Sequence, residues 1–165
     1  MRASIAITLV ALAALAGCTT NVTLPEALEV NIDQGGQTAN VDAQSHPQQQ
    51  FLVKVSGDTT QDTSVAISID ATRTSDQRTV IQVTVKDKDS GAVLGSDTLT
   101  MDSAIAGGNV TAGNTTTNTT TGTGSSSDST TININVRGNK NVVVVTQATE
   151  GAATVNVAAH RGQQY

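Results

Sequence analysis

The side chains here that commonly do chemistry are few: one cysteine, Cys18, and two histidines, His46 and His160. A zinc site or a nucleophile–base pair needs several such groups at ligand spacing or brought together by the fold. His46 stands beside Pro47 in a polar stretch and His160 lies near the end of the sequence, so neither has a neighbour at that spacing. Glycine-rich phosphate loops and nucleophile elbows are absent from the sequence too. Asp87-x-Asp89 places two carboxylates as they stand at the start of a calcium loop. Gly91 then falls where a third side-chain ligand belongs, and no glutamate follows at the required distance. The preferred reading is a hairpin turn built on Asp and Gly, with a calcium site at Asp87 and Asp89 as the alternative. We expect no catalytic residues, no cofactor and no metal.

Cys18 has a different chemistry. Met1 and Arg2 are followed by an apolar run from Ala3 to Ala14 and then by Leu15-Ala16-Gly17-Cys18. The run is too short to span a bilayer and has the positive, apolar, small-residue order of an export signal. The tetrapeptide resembles the bacterial lipobox. The resemblance implies cleavage after Gly17, diacylglyceryl and palmitate on Cys18, and a mature chain held on a membrane by lipid. Thr19 rather than Asp after the cysteine implies the outer membrane. A lone thiol in an oxidising compartment is a liability that acylation removes.

Composition narrows the partners. Nine Lys and Arg stand against fourteen Asp and Glu, for a formal net charge of −5, and aromatic residues make up 1% of the chain. An acidic chain repels nucleic acid, and with only Phe51 and Tyr165 it has almost no ring faces on which to stack bases or sugars.

Two-residue alternation is the recurring pattern, and it predicts strands. It runs through Leu28, Val30 and Ile32, then through Ala39, Val41 and Ala43 after a turn at Gln34–Gln37. It is clearest between Phe51 and Met101, where four strands follow at roughly even spacing. We expect an all-β fold, a small antiparallel immunoglobulin-like sandwich over residues 27–102. A signal (1–17) and a tether (18–26) precede it. Residues 103–130, rich in Thr, Gly and Ser, read as a flexible linker able to span about 25–30 Å. Residues 131–159 read as a short C-terminal β segment, and 160–165 as a polar tail.

That segment carries the most β-prone stretch, NVRGNKNVVVVTQ. Gly138, Asn139, Asn141 and Gln147 resemble a unit of the curli fibre repeat, although Val136 and Val143 stand where that repeat has Gln and Ala. The physical profile is that of an edge-pairing strand: uncharged and β-branched, with Arg137 and Lys140 just upstream. Ile132, Ile134, Val136, Val142, Val143, Val144 and Val145 are therefore the candidate partner strand, offered to another envelope protein or fibre component by β-augmentation. The expected function is non-catalytic, a structural, surface-assembly or adhesion role for a lipid-anchored chain. The alternative is a periplasmic binding or chaperone-like module whose C-terminal segment completes the sandwich.

Overall fold

The computed structural model describes residues 26–103 and 126–162. The lipobox, most of the Thr/Gly/Ser stretch and the last three residues lie outside them. Alternation becomes strand wherever it is sustained: β1 (Leu28–Val30), β2 (Gln37–Asp42), β3 (Gln48–Val55), β4 (Asp62–Arg73), β5 (Thr79–Asp87), β6 (Val93–Met101), β7 (Ser127–Arg137), β8 (Lys140–Glu150) and β9 (Ala152–Arg161). Sheet A has the order β1-β3-β8-β5-β6, and sheet B has the order β2-β9-β4-β7. The described chain is an all-β sandwich. Sheet A is mixed rather than purely antiparallel, because β1 runs parallel to β3 with Leu28 opposite Phe51.

The core lies between the sheets and is aliphatic. Phe51, Val53, Val142, Val144, Ile81 and Val83 from sheet A meet Val65, Ile67, Ile69, Val155 and Val157 from sheet B, all essentially inaccessible. Each such side chain contributes about 1.5–3 kcal/mol on burial, so many modest residues replace the missing aromatics. Two threonines are buried with them, and both are satisfied. Thr146 Oγ1 donates to the Gln49 carbonyl at 3.3 Å, and Thr79 Oγ1 to the Gln77 carbonyl at 3.3 Å.

Residues 131–159 are not a separate segment, and 27–102 is not a complete sandwich. β8 sits in the middle of sheet A, paired with β3 on one side and β5 on the other. β9 does the same in sheet B between β2 and β4. Without them each sheet loses an interior strand. The physical reason is that neither sheet can be closed from the first six strands, since β3 and β5 are not neighbours.

The turns around β8 also differ from hairpins. Consecutive strands β7, β8 and β9 alternate between the sheets. The chain makes each tight passage on a glycine with positive φ, Gly138 at 71° and Gly151 at 67°. Gly151 is doubly constrained, because a Cβ there would collide with Thr79 Oγ1 and stand 2.6 Å from the Arg78 carbonyl oxygen. Of the connections between described strands, the one that stays within a sheet is β5 to β6.

The flanks of the Thr/Gly/Ser stretch meet each other. Arg73 on β4 donates its backbone N–H to the Ser126 carbonyl at 2.7 Å, while its guanidinium bonds the Asp102 carbonyl. Asp128 Oδ2 accepts the Thr100 N–H at 2.9 Å, and Thr130 Oγ1 donates to Asp97 Oδ2. The stretch thus leaves and returns at one place on the β6–β7 seam, and does not separate two folded bodies.

Candidate functional site

The expected partner strand divides in two. Ile132, Ile134 and Val136 lie on β7, an edge strand of sheet B, but they point inward and are 9%, 3% and 7% exposed. Their apolar face is spent on the chain's own core. Val142 and Val144 are buried as well, and both edges of their strand are already hydrogen-bonded. An exposed strand edge at Val142–Val145 is therefore not available, which corrects the expectation from the β-prone run. Val143 and Val145 have the opposite orientation and are half-buried on the outer face of sheet A.

Asp87 and Asp89 build a turn. Asp87 Oδ1 accepts the N–H groups of Asp89 at 2.9 Å and Ser90 at 3.1 Å, and its Oδ2 lies 3.1 Å from Lys140 Nζ. The Ser90 N–H, then the Lys140 side chain, hold the carboxyl down at about 2 against an ordinary 3.8. Gly91 closes the turn at φ 72°, its N–H on the Asp87 carbonyl. Both oxygens of Asp87 are thus occupied by backbone and lysine, a poor starting point for a calcium ligand.

His46 lines an open depression of about 440 Å³ with Asn40, Asp42, Ser45, Thr74 and Ala152. Ser, His and Asp meet here, but not in a relay. Asp42 Oδ1 accepts the N–H of Gln44 at 2.8 Å and of Ser45 at 3.3 Å, so the carboxylate closes the loop instead of orienting the imidazole. The Gln44 N–H is the main reason its pKa is lowered. Ser45 Oγ is 3.3 Å from His46 Nδ1 across adjacent residues, both exposed. A triad needs the third group on the base, and that arrangement is missing. His160 stands at the far end of β9, 3.6 Å from Asp33 Oδ1. Eight residues of strand put about 26 Å between the levels of the two histidines, so they share no site.

The feature that alternation alone did not expose is a row on the outer face of sheet A. Leu52 pairs with Val143, Val143 with Lys86, and Lys86 with Val93. Four adjacent strands therefore present Leu, Val, Lys and Val side by side. Val93 is 60% exposed, a large apolar residue left in solvent. It faces this way because the register shifts between Val85 and Lys86, setting Val93 rather than Leu94 opposite Lys86. The next rows toward the start of β3 are polar apart from Val145: Gln50, Val145, Thr84, Ser96, then Gln48, Gln147, Gln82, Thr98.

No family model, curated protein or solved structure matches the chain.

Proposed function

We propose that the chain is a non-catalytic, lipid-anchored module of the bacterial outer membrane, with a structural or assembly role exercised through the faces of its sandwich. The observation that shapes this reading is the central position of β8 and β9, an arrangement shared with the alternative of a periplasmic binding or chaperone-like module whose C-terminal segment completes the sandwich. It ties the C-terminal strands to the domain and leaves broad sheet faces, not a free tail, as the surfaces on offer. The use of chemistry-bearing side chains agrees with it. Asp42, Asp58 and Asp87 cap turns through Gln44, Thr60 and Ser90, and Asp128 caps the edge of β6. An Asp-capped edge resists strand addition, which favours recognition by a face over β-augmentation at that edge.

The lipid end of the reading rests on Leu15-Ala16-Gly17-Cys18. Its test is metabolic labelling with radioactive palmitate in a bacterial host, comparing the chain with Cys18→Ser. The expected result is label in the wild type, sedimenting with outer membrane, and neither label nor outer-membrane fractionation in the variant. An unlabelled wild-type chain overturns the anchoring reading.

A further inference from the structure

From the row Leu52–Val143–Lys86–Val93 we infer that the outer face of sheet A lies down on an anionic, phosphate-bearing lipid surface. The inference rests on the anchoring reading above and adds an orientation to it.

Three observations converge. The first is composition. Half-buried Leu52 and Val143 and exposed Val93 stand in one row on the outer face, with exposed Lys86 set among them. Aliphatic side chains flanking a long lysine suit an interface where the stem lies on apolar surface and the ammonium reaches a phosphate. The second is charge. The chain as a whole is acidic, yet this end of sheet A gathers Lys54, Lys86 and Lys88, against Glu29 opposite Leu52 at the β1 edge of the row and Asp89 next to Lys88. Lys54 is neutralised by Glu29 at 2.7 Å, while among the described residues Lys86 and Lys88 form no ion pair. The third is chain direction. β1 runs parallel to β3, so the chain enters from the Gln48 end of this sheet, whereas the aliphatic and lysine groups lie toward the Val55 end. The ten residues from Cys18 to Leu28 reach at most about 33–36 Å. A lipid on that tether together with lysines on the face gives two-point attachment, which lays the sheet flat. A single anchor alone would leave the domain free to tumble.

The test uses the acylated full-length chain on phosphatidylcholine vesicles, with and without phosphatidylglycerol and with brominated acyl chains as quencher. A fluorophore is carried at Val93→Cys or, on the outer face of sheet B, at Thr131→Cys. The expected result is strong quenching at position 93 only, present with phosphatidylglycerol, weakened by high salt, and much smaller at position 131. Lys86→Glu with Lys88→Glu should cut the docked-to-free ratio more than tenfold, since each lysine near an anionic surface contributes roughly a fivefold factor. Circular dichroism of the variants guards against unfolding. A chain that floats with the vesicles but quenches equally at both positions, or at neither, overturns the orientation alone. Failure to float with either vesicle overturns the anchoring reading and the orientation with it.

Discussion

On the outer face of sheet A one row reads Leu52, Val143, Lys86, Val93; on the outer face of sheet B the comparable row reads Thr131, Ser68, Ala158. Both rows cross the interior strands of their sheets, and both back onto the same core. Sheet B is covered on its outside by hydroxyl, amide and methyl groups with Asp70 and the Asp62–Arg137 ion pair among them; the Ser68 and Thr131 hydroxyls are 3.4 Å apart and Thr154 donates to Asn40 at 2.8 Å. That is how an antiparallel face meets water, polar outside and apolar inside. Since sheet B holds together with polar residues outside, sheet A has no folding need for Val93 or Leu52 there. The contrast separates what the fold requires from what it merely carries, and the aliphatic row belongs to the second kind.

Several perturbations break or sharpen that contrast. The most severe is removal of residues 127–165, which takes β7, β8 and β9 and so an interior strand from each sheet. The expected outcome is loss of the cooperative thermal transition. An intact domain with the same melting temperature would mean that the first six strands suffice.

Next come substitutions inside and outside one strand. Phe51→Ala should cost about 3–5 kcal/mol and Val144→Ala about 2–3 kcal/mol, both in the core. Val143→Ala, on the outer face of the same strand as Val144, should cost under about 1 kcal/mol. Urea titration of the pair reads the difference, and equal costs would erase the distinction between core and carried surface.

Gly151→Ala tests the passage between the sheets. Positive φ and the contact with Thr79 and Arg78 predict a loss of about 2 kcal/mol or more, with both faces retained if the domain still folds. Replacing residues 104–125 with a short Gly/Ser turn is the mildest structural change. Arg73 already holds both flanks, so the fold should survive and gain about 1 kcal/mol from the shorter loop. Unfolding on that replacement would contradict the meeting of the flanks.

Acid gives the smallest effect, one that leaves both faces in place. Asp87 has its folded pKa depressed to about 2 from an ordinary 3.8, chiefly by the Ser90 N–H and then by Lys140. A depressed carboxyl stabilises the fold above its unfolded pKa and loses that stabilisation as pH falls through the folded value. The window is therefore from about 4 down to about 2. Asp42 and Asp58, both lowered, act in the same direction. The urea midpoint should fall across that window, and fall less in Asp87→Asn.

Much of the fold was legible in the sequence. Alternation located most strands because it records which side chains face inward, and Phe51, Val53 and Val55 or Val65, Ile67 and Ile69 do so without ambiguity. It does not record which strand lies beside which. That β8 would enter between β3 and β5 depends on sheet exchanges at Gly138 and Gly151 that read locally as ordinary turns, and β1 lies parallel to β3 because β2, between them in sequence, crosses to the other sheet. The run Val142–Val145 hides its own period, since every residue is valine. Two of the four are core and two are surface, and the pattern cannot say which. The outer row was illegible for the same reason: it forms across four strands, and Val93 joins it through a register shift that leaves no mark in the sequence.

The central claim is that β8 is an interior strand of a single sandwich. Amide hydrogen exchange tests it most directly, followed at Val142–Val145. These four amides should be among the slowest to exchange, opening together with those of Phe51–Val53 and Val83–Val85 at the free energy of global unfolding. Rapid exchange at Val142–Val145 while Val83–Val85 stay protected would contradict it, and would return the strand to the role of one held out for another chain.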